Sequence, residues 1–131
     1  MTNQLEFHIA VHSVRQRDTR YAPQAYAFLC EALEHTVRAH HKEGDEDRHV
    51  RGQELLAGFR ELALQEFGPL ALLVMRDWGI QCSEDVGNMV YNFITVKFFG
   101  RNETDSIEDF SDGISMEEEL TKPFRSKRRA A

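Results

Sequence analysis

The sequence predicts a mainly α-helical fold, a compact bundle of about five helices with a helix-turn-helix or winged-helix-like core at residues 51–114. Three observations carry this. Residues 51–100 hold three helix-length runs with apolar side chains at helical spacing. Gly68-Pro69 and Trp78-Gly79 separate them as stop signals. The chain has 131 residues, 41% of them apolar, which suits one domain with a real core and is too short for two. The domain is placed at 1–120, with 121–131 a basic, disordered tail.

Taken in order, residues 4–17 set Phe7, Val11 and Val14 at helical spacing, with Leu5 and Ile9 flanking, and predict a short amphipathic helix. A second helix opens at Pro23, whose missing N–H has no intrahelical partner at that position, and continues through Tyr26, Leu29, Cys30, Leu33 and Val37. HHKEGDEDRH at 40–49 contains no apolar residue and reads as a solvated connection. The helix at 52–67 presents Leu55, Leu56, Phe59, Leu62, Ala63 and Phe67 as a wide stripe. Gly58 inside it costs about 1 kcal/mol relative to Ala, unless a neighbouring backbone comes close. Pro69–Trp78 is apolar nearly all round, which predicts a helix enclosed by others and the centre of the core.

Glycine after Trp78 suits a left-handed stop, and Ser83 with Glu84 and Asp85 reads as an N-cap and acidic first turn. The helix at 84–99 buries Val86, Met89, Val90, Phe93 and Ile94; its end, Val96–Phe99, also suits entry into a strand. Beyond Gly100 only Ile107, Phe110, Ile114, Met116 and Leu120 offer anchors, which predicts an irregular segment ending in one helical turn at 115–121.

Net charge is −6 and segregated. Residues 1–100 carry ten Lys/Arg against fourteen Asp/Glu, 101–120 one Arg against eight acids, and 121–131 five basic residues and no acid. That pattern bears on the winged-helix reading. The reader helix would expose Glu84, Asp85, Asn88, Tyr91, Asn92, Thr95 and Lys97, two acids and one base, whereas phosphate contacts need several cations. Nucleic-acid binding is the alternative reading, through the tri-helical unit or the tail Arg125, Lys127, Arg128 and Arg129.

The strings RYAPQAYAFLCEAL, GQELLAGFRELALQEFGPLA and WG…SEDVGNMVYN, followed by DSIEDFSD, resemble an uncharacterised small-protein family known mainly from planctomycete and verrucomicrobial genomes, over about Arg20 to Asp112. The resemblance implies a single helical domain with residues 105–112 inside the folded unit. It implies no activity, cofactor or catalytic residue.

No catalytic or metal motif emerges. His8 and His12 at i, i+4 share a helix face, as do Glu31 and His35, but no third ligand or HExxH accompanies either pair. Cys30 lies on an apolar stripe; Cys82 at a helix start is favoured as a thiolate by the dipole and opposed by Glu84 and Asp85. The acids at Asp105, Glu108, Asp109 and Asp112 lack the order of a calcium loop. The longest apolar run, Leu70–Met75, is far below the roughly 18 residues of a membrane span, and the alternating N-terminus is not a secretory signal. The expectation is therefore a non-enzymatic cytoplasmic protein–protein interaction module without cofactor. Its partner surface is expected at Tyr91, Phe98, Glu103, Asp105, Glu108, Asp109 and Phe110. The stripe of the first helix and the Phe98-Phe99 pair suit either core completion or a dimer contact.

Overall fold

The computed structural model describes residues 4–40, 50–99, 110 and 114–124. Among them the architecture is all-helical: α1 (Gln4–Arg15), α2 (Pro23–His40), α3 (Gly52–Phe67), α4 (Ala71–Trp78), α5 (Ser83–Thr95) and a short α6 (Met116–Thr121). The mainly helical bundle is as the periodicity predicts. Five helices have at least eight residues; α6 has six.

α1 turns Ala10, Val11 and Val14 inward. The longest helix, α2, packs along α3, and the glycine at 58 explains how closely. A Cβ there would collide with the buried Thr36 Oγ1 and lie 3.2 Å from Thr36 Cβ, so the helix-propensity loss of about 1 kcal/mol is offset by contact between helices. Gly68, with φ 55°, and Pro69 turn the chain through one 3-10 turn, Gly68–Leu70, into α4. Gly79 is required twice over. Its φ is 94°, a left-handed conformation that side chains resist, and a Cβ would strike the Arg20 carbonyl oxygen. Its N–H bonds back to Arg76, Ile80 N–H donates to Met75 O at 2.9 Å, and Ile80 is buried just past the stop.

Three expectations give way to the packing. α4 is not the core centre. Only Ala71 and Met75 of α4 are buried, while Leu70 and Leu73 are 60% and 59% exposed, because this short helix packs on α3, α6 and α2 and leaves its outer side to solvent. The centre lies instead where Tyr26, Phe59 and Phe93, all at 0% exposure, meet the helix interfaces. Second, α5 begins at Ser83 with Cys82, not Ser83, in the N-cap position. Third, α5 stops at Thr95, and Val96–Phe99 form neither helix nor strand. Lys97 adopts φ 65°, and Phe98 and Phe99 N–H groups both return to Phe93 O, at 2.9 and 3.1 Å. This folds both rings onto the core against Phe93, with centroids 4.8 and 5.1 Å away.

The predicted turn at 115–121 is α6, capped by Ser115 Oγ accepting from Glu118 N–H at 3.0 Å. Main-chain bonds Ser83 N–H to Ile114 O (3.2 Å) and Met116 N–H to Gln81 O (2.8 Å) fasten its start to the start of α5. Met116 and Leu120 are buried. The tail expected to be disordered over 121–131 instead begins ordered, with Thr121 closing α6 and Lys122–Phe124 forming a 3-10 turn; residues 41–49 of the solvated connection and the tail beyond 124 lie outside the described residues.

Candidate functional site

The densest polar geometry in the described residues lies along one side of α5. Asp85, Asn88 and Asn92 recur at helical spacing and all point at the link between α1 and α2. Tyr21 O–H donates to Asp85 Oδ1 at 2.6 Å and accepts from Asn88 Nδ2 at 3.0 Å. Asn92 Nδ2 donates to both Asp18 Oδ2 and Tyr26 Oη at 3.0 Å. Asp18 also takes three bonds from Arg20: the main-chain N–H at 3.1 Å, Nε at 2.9 Å and Nη2 at 2.7 Å. That guanidinium stands 5.1 Å over the Tyr21 ring. At the N-terminal end of the seam, Asp85 Oδ2 accepts from the main-chain N–H of Gln81 (2.8 Å) and Cys82 (3.2 Å), closing the first turn of α5.

These environments set the ionisation of the seam. The Arg20 guanidinium beside Asp18, helped by Asn92 and opposed by partial burial, holds the Asp18 carboxyl well below the usual carboxylate range. Burial, and the hydrogen bond to Asp85, push the Tyr21 phenol up; burial pushes up Tyr26. Cys82 is driven the same way, first by burial and then by the Asp85 charge, and its Sγ sits 3.6 Å from Asp85 Oδ2. The thiolate that a helix start would favour is thereby disfavoured. Each group is thus held in the state that bonds within the fold: carboxylate for Asp18, neutral for Tyr21, Tyr26 and Cys82.

Stability should follow. A carboxyl depressed in the folded state contributes stability that is present above the unfolded value of about 3.9 and is lost as pH falls below it. Replacing Asp18 by Asn is expected to flatten the acid limb, so that the urea midpoint falls less between pH 6 and pH 3 than in the parent chain. Equal falls would show that Asp18 is not a source of the acid sensitivity.

The seam changes the reading of α5 as a nucleic-acid reader. Of its expected outward residues, Asp85, Asn88 and Asn92 are half-buried and bonded to Asp18, Tyr21 and Tyr26, leaving Glu84, Tyr91, Thr95 and Lys97 exposed. The residues expected as a partner surface divide as well. Tyr91 is 52% exposed. Phe98 is half-buried against Phe7, Phe93 and Phe99. Phe110 is not a surface residue: it is 0% exposed and fills the notch at Gly87, where a Cβ would come within 2.6 Å of the Phe110 Cβ. Glu103, Asp105, Glu108 and Asp109 lie outside the described residues.

No family model, curated protein or solved structure matches this chain.

The histidines separate into different settings. His8 and His12 are exposed on α1, with His12 Nε2 3.4 Å from Gln16 Nε2. His35 does not join Glu31; its Nε2 lies 2.7 Å from Glu61 Oε1 on α3. Among the described residues no group of three His, Cys, Asp or Glu is placed to hold a metal ion, and neither Cys30 nor Cys82 is in a disulfide. No described helix is long and apolar enough to cross a membrane.

Two features escape the sequence patterns, the exposed apolar edge of α4 and the inward seam of α5. Leu70 and Leu73 stand one turn apart, with Asp77 one turn further on the same side. Arg76 Nη2 reaches Glu117 Oε1 on α6 at 3.3 Å, so the acidic start of α6 borders this edge. Asn88 and Asn92 at i, i+4 could have signalled the seam, since half-buried amides need hydrogen-bond partners, but helical spacing alone placed them on the outward face. Gly87 in mid-helix signalled the close approach of Phe110.

Proposed function

We propose that this chain, as a member of the uncharacterised family it resembles, is a non-enzymatic cytoplasmic module that works by protein–protein contact through an acidic and apolar surface. One observation carries the reading. Side chains able to do chemistry are engaged by the fold itself, Tyr21 and Cys82 by Asp85 and both Asp18 and Tyr26 by Asn92, while large apolar side chains stand in solvent at Leu70, Leu73, Tyr91 and Phe124. Apolar edges rimmed by polar residues are typical contact surfaces. Here the rim is Asp77 and Glu117, the latter paired with Arg76, and the sequence carries four further acids between 103 and 109. The partner this chemistry suits is a cationic amphipathic segment.

The test uses the full chain and two variants whose changes lie at exposed or strongly acidic positions. One carries Leu70→Ser with Leu73→Ser; the other carries Glu103→Gln, Asp105→Asn, Glu108→Gln and Asp109→Asn. Cross-linked partners recovered by the parent are expected to fall several-fold in at least one variant. Identical recovery by all three would end the proposal.

A further inference from the structure

A groove of about 570 Å³ runs between α1 and the start of α2. Its size lies within the roughly 300–1,000 Å³ of small-molecule sites. Its composition is unusual for this chain. The protein carries a net charge of −6, yet no Asp or Glu lines the groove, whose polar rim is two imidazoles, one guanidinium and one amide above a floor of Phe7, Val11 and Ala27. Two further features point to an anion. The Arg15 guanidinium lines the groove, and its Nε, itself closed to solvent, has no hydrogen-bond partner among the described residues, so no described carboxylate is seated on that nitrogen to neutralise it. The lining also includes Pro23 and Gln24, the first residues of an 18-residue helix with no acid in its first turn, so the positive end of that helix dipole lies at the groove.

We infer that this groove binds a small amphipathic monocarboxylate, its carboxylate taken by Arg15 at the α2 start and its aliphatic or aryl body laid on Phe7, Val11 and Ala27. A guanidinium holds a carboxylate through two parallel N–H bonds, which an alcohol of the same chain length cannot match. The apolar floor contributes in proportion to the tail surface removed from water, whatever the head group. Head-group discrimination therefore separates this site from any greasy surface, including the apolar edge of α4.

The experiment titrates the full chain with decanoate, decanol and decyltrimethylammonium, each below its aggregation limit, with amide chemical shifts and calorimetry as readouts. Decanoate is expected to saturate with shifts centred on α1 and the first turns of α2, and to bind at least roughly tenfold tighter than decanol, with decyltrimethylammonium weakest. Arg15→Gln should weaken decanoate about tenfold and leave decanol unchanged, and Arg15→Lys should recover part of the loss. Ala27→Trp, which fills the floor, should abolish both. Equal affinities for the three probes, shifts centred on α4, or the absence of saturation by decanoate would overturn the inference. The probe comparison is made on the parent protein, so its outcome does not depend on how any variant folds.

Discussion

Phe93→Ala is expected to lower the unfolding free energy by about 3–5 kcal/mol, the range for removing a fully buried ring. Against a typical total of about 5–15 kcal/mol, that is enough to leave a sizeable unfolded fraction at 25 °C. Phe93 is buried to 0% exposure and its ring meets those of Tyr26, Phe7, Phe98 and Phe99, at centroid distances of 4.9, 6.2, 4.8 and 5.1 Å. It therefore joins α1, α2, α5 and the turn after α5 in one contact set. A ring removed from the crossing of four segments leaves a void that none of them can close alone, which places the cost at the upper part of the range. Phe93→Leu keeps most of the volume and should lose clearly less. Urea titration of both variants and the parent gives the comparison. A loss below about 1 kcal/mol for Phe93→Ala would mean that the crossing is not where the bundle is held.

Asp85→Ala should be the most damaging polar change, about 2–4 kcal/mol, because one carboxylate serves two structural purposes. Oδ2 takes the main-chain N–H of Gln81 and Cys82, capping α5; Oδ1 takes the Tyr21 hydroxyl, tying α5 to the α1–α2 link. Alanine leaves the hydroxyl of a residue at 1% exposure without an acceptor, and an unmade buried bond costs more than the bond contributes when formed. Tyr21→Phe removes the same bond from the other side and keeps the cap, so it should cost about 1–2 kcal/mol. The two changes should then combine to less than their sum, with a coupling of about 1 kcal/mol in a double-mutant cycle. Strict additivity would place the whole effect of Asp85 in the cap and none in the seam. Equal losses for the two single variants would point the other way.

Helix positions were legible because their causes are local. Pro23 starts α2, Gly68-Pro69 and Gly79 break the chain where expected, and Ser115 caps α6 by a bond to Glu118, three residues away. Where the local text was ambiguous, at Val96–Phe99, β-prone residues became a turn because folding two phenyl rings onto Phe93 buries more apolar surface than a strand without a partner would. The reverse error arose at α4. An all-apolar run looks like a buried helix, but burial depends on how many neighbours arrive, and on the outer side of α4 none of the described elements does.

From its own text the chain specified that it would be helical, where its long helices would begin, where Gly68-Pro69 and Gly79 would break it, and that its charges would be segregated, since these follow from periodicity, backbone conformation and side-chain identity over a few residues. Which side chains became surface and which became framework was settled by packing. Asp85, Asn88 and Asn92 find partners 64 to 74 residues away in Asp18, Tyr21 and Tyr26, Phe110 is drawn under the surface by the space at Gly87, and Arg15 and Pro23 come to line one groove. Burial and pairing are properties of two segments brought together, and no periodicity within one segment contains them.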